Sequence, residues 1–238
     1  METTARVWFE VTFDIAYLVI IWGLVVTMIR RRNTVRPSDR LVARLVTIAF
    51  TLLAFGDTGH VGFRVLVYVL REHVPFGTPA GLLGLGKLAT AVTVTLFYVL
   101  MVAVWRHRFD KQYGPLEYLM FGAALLRLIM LTMPANRWDS PVSPHPWAII
   151  RNMPLLVQGL VAFSFLRDGG RQGDQAFWWM GIMILISFAC YMAVVLLVQR
   201  IPLIGLLMIP KTIAYLVMAF LAYKALYGAS NGTERATA

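Results

Sequence analysis

The chain has 238 residues, 59% of them hydrophobic and 14% charged, with a mean hydropathy of +0.69 and a net charge of +10. A soluble domain of this size carries nearer a quarter charged residues, so the composition excludes an ordinary water-soluble fold. The basic residues mostly flank apolar segments, where they read as topology signals and not as a nucleic-acid footprint, and the lone Cys190 excludes a disulfide framework or a cysteine-based metal site.

A helix needs roughly 20 apolar residues to cross the hydrocarbon core, and lipid offers the backbone no hydrogen-bond partner, so long apolar runs imply helices. Such segments fall at about 12–29, 42–70, 83–105, 115–133, 146–166, 176–199 and 201–223. The first ends against Arg30-Arg31-Arg32. A signal peptide would carry its charges before the apolar run and a small-residue cleavage site after it, so this segment reads as a retained helix. The second is too long for a straight span and is expected to tilt or to project beyond the bilayer. The expected fold is an all-α membrane bundle of seven helices in one domain over residues 1–228. A polar, disordered tail follows over 229–238.

Counting Lys and Arg orients the bundle. The connections after the first, third and fifth spans, together with the C-terminal segment, carry thirteen, among them Arg30, Arg31, Arg32, Arg36, Arg40 and Arg44. The opposite side carries Arg6, Arg71, Arg137 and Arg200. Positive residues accumulate in cytoplasmic loops, which puts the N-terminus outside and the C-terminus in the cytoplasm.

Five cations remain, Arg64, Lys87, Arg127, Arg151 and Lys211, and all lie within spans. Ionisable residues there are costly and mark function. Counting from the outer end of each span, the first four fall roughly 8–9 Å deep, His60 and Lys211 about 15 Å and Asp57 about 20 Å. Only one carboxylate, Asp57, is central, with Asp14 and Glu117 near span ends. Independent snorkelling to the outer interface is the plain alternative for each cation, for Lys87 above all.

In the second span, Asp57, His60 and Arg64 are spaced by three and four and share one helical face. Gly56, Gly59 and Gly62 recur every third residue, a pattern that lets another backbone approach. Arg151-Asn152-Met153-Pro154 and Ile209-Pro210-Lys211 place prolines beside cations, as in the interrupted helices that build transporter sites. Tyr215, one turn beyond Lys211, and Gln158, two turns beyond Arg151, are expected to line the same cavity. Above it, the proline-rich segment 134–146 is either a lid or a rigid connection, and Trp138 and Trp147 read as an interfacial aromatic belt.

Three readings are set aside. The segment 81–87 has phosphate-loop glycine spacing, but Leu88 stands where a hydroxyl must meet magnesium and no strand precedes it. A lysine midway along a seventh span suggests a retinal Schiff base. Microbial rhodopsins carry an aspartate four residues earlier, where Leu207 stands, and the third span lacks their carboxylates. An outer-surface zinc site would have to draw on His60, His73 and His145, of which only His60 is intramembrane.

The combination of Gly56-Asp57-x-x-His60-x-x-x-Arg64, Arg151-Asn152-x-Pro154 and Met208-Ile209-Pro210-Lys211 resembles a bacterial family of hypothetical polytopic membrane proteins, over the second to seventh helices. Phe63 departs from that pattern, which has proline there. The resemblance implies the site and carries no activity.

The expected protein is a multi-pass component of a bacterial cytoplasmic membrane whose basic cavity, open to the outside, binds an anionic ligand as a carrier or receptor. Arg64, Lys87, Arg127, Arg151, Asn152, Lys211 and Tyr215 are the expected ligand contacts, with Lys211 and Arg151 foremost. Membrane lipid and a small anion are the expected partners, with no cofactor, metal or nucleic acid. The alternative is an intramembrane enzyme in which Asp57 orients His60 as a general base.

Overall fold

Hydropathy of this kind leaves the backbone one solution, and the computed structural model, which describes residues 4–70, 73, 77–140 and 144–228, adopts it. The long helices are α1 (Thr4–Arg30), α2 (Arg40–Leu70), α3 (Pro79–Arg108), α4 (Pro115–Thr132), α6 (Met153–Arg171), α7 (Gln175–Leu197) and α8 (Met208–Tyr227), with a six-residue α5 (His145–Ile150) before α6. Seven segments among the described residues are long and apolar enough to cross a membrane. α5 and α6 together make the fifth, and a 3₁₀ turn, Pro202–Leu207, joins α8 in the seventh. The tail 229–238 lies outside the described residues.

Local chemistry explains where the helices begin. Thr78 caps α3 by accepting the Gly81 N–H at 3.1 Å, with Pro79 at the first position. Glu117, expected near a span end, is buried there and caps α4, accepting the Gly114 N–H at 2.7 Å. Pro154 and Pro210 mark the helix interruptions that their place beside cations suggested. Each lies in the first turn of a separate helix, α6 and α8, where its missing N–H costs nothing. Both spans are therefore interrupted beside a cation.

α2 has 31 residues and is about 46 Å long, well over the hydrocarbon thickness. It packs most extensively on α3. A Cβ added at Gly86 would lie 2.9 Å from the His60 Cα, so only glycine permits this approach. Gly56 likewise seats the Thr93 side chain. Gly62 does not take part: it faces open space, a correction to the three-glycine pattern, because its position has rotated past the α3 contact.

The apolar core fills mainly the arginine-rich half of the bundle, where Phe97 meets Phe50, Tyr98 and Tyr215 at ring separations of 5.4, 5.4 and 5.8 Å. At the same end Arg108 bridges Asp39 (2.7 Å) and Asp174 (3.2 Å), tying together three connections that the charge count assigns to the cytoplasm. The opposite half encloses a cavity. Reporter fusions at Asn136 and Ala238 should report opposite sides of the membrane, Ala238 cytoplasmic. The same side for both would overturn this orientation.

Candidate functional site

The cavity has a volume of about 470 Å³ and is walled by all seven spans and the α4–α5 connection. Asp57, His60, Arg64, Lys87, Arg127, Arg151, Asn152, Lys211 and Tyr215 all border it. Gln158 does not: it is fully buried between α6 and α3, its amide donating to the Thr95 carbonyl at 3.3 Å.

The cations have different surroundings. Arg64 is neutralised from α1, where Glu10 accepts from Nη2 at 2.5 Å and Asp14 from Nη1 at 3.4 Å. α1 starts at Thr4, earlier than the apolar run suggested, which brings Glu10 into the span. Glu10, Asp14 and Tyr17 lie at i, i+4 and i+7 on α1. That spacing is visible in the sequence, but placing the span's start at residue 12 hid it. The Tyr17 hydroxyl donates to Asp57 Oδ2 at 2.5 Å.

The Asp57–His60–Arg64 face is therefore not a self-contained network. Each charged member is taken up by α1, and the buried His60 Nδ1 has no hydrogen-bond partner. The Asp57-oriented imidazole required for a general base is not formed.

Arg127 differs most from Arg64. It is 2% exposed, its Nη2 donates to Asn152 Oδ1 at 3.3 Å, and its Nε and Nη1 are buried without a partner. Leaving buried donors unpaired is costly, more so on a charged group. Asn152, expected to touch the ligand, spends its amide within the protein. Its Oδ1 also accepts from the Tyr191 hydroxyl at 3.0 Å, and its Nδ2 donates to the Ala148 carbonyl at 2.7 Å.

The Lys211 ammonium lies 5.4 Å from the Tyr191 ring centre and 5.5 Å from that of Tyr215, within cation–π range. The Tyr215 hydroxyl meets that of Tyr98 at 3.0 Å. None of the ion pairs formed among the described residues involves Lys87, Arg127 or Lys211.

Between lid and rigid connection, the α4–α5 segment behaves as the latter. Asn136 is fully buried, and its Nδ2 donates to the Met130, Leu131 and Met133 carbonyls at 2.7, 3.2 and 2.7 Å. Its Oδ1 accepts from Trp147 Nε1 and Arg151 Nη1, both at 3.0 Å. Trp138 is not a belt residue: its ring roofs the cavity with the Arg151 guanidinium 4.5 Å above it, and its carbonyl sits against Gly84. Residues 141–143 lie outside the described residues.

His145 Nε2 meets the Leu196 carbonyl at 3.2 Å, away from His60. Among the described residues no group of His, Cys, Asp or Glu side chains is arranged to hold a metal.

No family model matches the chain, and no curated protein matches it. Among solved structures it is similar to the crystal structure of xanthorhodopsin, a light-driven ion pump with dual chromophore. The TM-score is 0.59 at 15% identity, covering 98% of this chain and 97% of that one. At that identity the likeness is one of fold: this chain shares the seven-helix architecture of a rhodopsin from end to end.

Proposed function

We propose that the cavity binds an anion, a phosphate or carboxylate group on a lipid or small metabolite, and that the protein is a carrier or receptor in a bacterial cytoplasmic membrane. The observation that carries this reading is Arg127, a buried guanidinium with two unpaired N–H donors on the wall of a cavity that Lys87 and Lys211 also border. Arg64 pairs with Glu10 and Asp14, whereas Lys87, Arg127 and Lys211 take part in none of the ion pairs formed among the described residues, so the surplus positive charge rests on these three and faces Asp57. Several kcal/mol per ion is the scale of uncompensated charge in such an interior, and an anionic ligand offsets it.

Arg127 and Lys211 are the principal contacts in this reading, with Lys87 and Arg151 flanking. Arg64 is withdrawn from the ligand set because Glu10 and Asp14 occupy it. An enzymatic role for His60 lacks its orienting partner, since Asp57 is engaged by Tyr17.

Native mass spectrometry of the purified protein should find a bound anion. Lys211→Met should lower its affinity by roughly 100-fold, the scale of one lost charge-assisted contact, with the fold intact. A protein that retains no anion, or a Lys211→Met variant that binds like the parent, would sink the reading.

The fold favours a second reading. α8 is the last helix and presents the Lys211 amine inside the cavity, as a chromophore-binding protein of this architecture requires. The amine would condense with an aldehyde to an imine, releasing water, and Asp57 would balance the charge of the protonated imine. Leu207 and the absence of carboxylates among the α3 cavity residues stand against it. Incubation with retinal decides: a red-shifted absorbance band lost in Lys211→Met supports the second reading, and an unchanged free-retinal spectrum removes it.

A further inference from the structure

A second crevice lies at the opposite, arginine-rich end, between α1, α2 and α8. Its volume is about 630 Å³. α2 contributes one stripe, in which Arg40, Ala43, Arg44, Thr47 and Ile48 follow at i, i+3, i+4, i+7 and i+8. Arg32 and Asn33 enter from the 3₁₀ turn after α1, and Tyr227 closes the back from α8. The Tyr227 hydroxyl donates to the Ala43 carbonyl at 3.0 Å and meets Thr47 Oγ1 at 2.7 Å, which fixes that wall.

The crevice pairs two chemistries. Arg32, Arg40 and Arg44 take part in none of the ion pairs formed among the described residues. Asp39, Asp168 and Asp174, the carboxylates at this end that do form ion pairs, are held by Arg108 and Lys111. Beneath the guanidinium groups the walls turn apolar, with Met28 buried and Ile29 and Ile48 facing outwards at 48% and 40% exposure. By the positive-inside count this end meets the cytoplasmic leaflet, whose lipids carry negative charge.

We infer that this crevice binds an anionic phospholipid, its phosphodiester held by Arg32, Arg40 and Arg44 and an acyl chain lying along Ile29 and Ile48. A free phosphate shares the head-group chemistry, but it has no use for the apolar walls. The guanidinium fork matches phosphate oxygens, and basic pockets between helices on this side are suited to such head-groups. The site is separate from the outer cavity and does not depend on how that cavity is read.

The test uses the full chain in detergent, titrated with phosphatidylglycerol or phosphatidylcholine and followed by native mass spectrometry. Phosphatidylglycerol should be retained selectively. The paired change Arg40→Gln with Arg44→Gln should weaken retention roughly 10–30-fold, at about the per-arginine effect expected beside an anionic surface. Arg36→Gln, in the same connection but outside the crevice, should leave retention unchanged. A thermal midpoint for each variant reports folding, and Arg44→Gln alone replaces the paired change should the latter unfold. Equal retention of the two lipids, or equal losses in Arg36→Gln and in the crevice variants, would mean diffuse surface attraction and overturn the inference. Displacement of the lipid by millimolar inorganic phosphate would identify free phosphate as the ligand and overturn it too.

Discussion

Replacing Arg127 by methionine should abolish anion binding, by 100-fold or more, while the protein stays at least as stable as its parent. The first half follows from the two unpaired donors, Nε and Nη1, that the guanidinium holds at the cavity. Charge-assisted hydrogen bonds from a buried arginine to an anion are worth about 2–5 kcal/mol, which sets the fold-change. The second half follows because the ligand-free protein bears the cost of a desolvated cation with no carboxylate partner. Methionine has a similar reach and removes that cost at the loss of one hydrogen bond, to Asn152. Thermal midpoints in detergent and titration with the anion identified by mass spectrometry measure both. A variant that unfolds would show that Arg127 is a structural member of the bundle, and the anion site would have to be given up.

The same substitution at Arg64 should do the reverse. Arg64 holds Glu10 and Asp14 together from the adjacent α2, and its removal leaves two carboxylates close together in a partly buried site. Breaking a buried ion pair costs about 3–5 kcal/mol. With the Arg64 side chain 21% exposed, the lower end, about 3 kcal/mol, is the expected loss. Anion affinity, where it can still be measured, should change little. Adding Glu10→Gln and Asp14→Asn to Arg64→Met should recover most of the stability, because the three residues act as one unit. Two cations of one cavity, changed identically, thus separate ligand binding from structural pairing. Loss of binding without loss of stability at Arg64 would reverse the roles assigned to these arginines.

The corrected assignments share a cause. Asp57, His60 and Arg64 do share a helix face, as their spacing requires. Spacing on one helix does not say which neighbour that face meets, and the neighbour is α1, whose Tyr17 and Glu10 lie 40 and 54 residues away in the chain. Gly62 shows the same limit on the other side, since two of three regularly spaced glycines meet α3 and the third faces outwards. Asn136 reads in sequence as one polar residue in a loop. Only the fold makes it the hub that anchors Arg151 and Trp147.

By itself the sequence determined the seven spans and the five cations set within them. Lipid solvates neither backbone nor charge, so any departure from a long apolar helix stands out as composition alone. The arginine asymmetry belongs to the same class, because it is counted along the chain. Tertiary structure alone decided that Arg64 pairs with Glu10 and Asp14 while Lys87, Arg127 and Lys211 border the cavity outside every ion pair formed among the described residues. That outcome depends on how each helix is rotated about its axis and where α6 and α8 begin, which are set by packing between segments far apart in sequence.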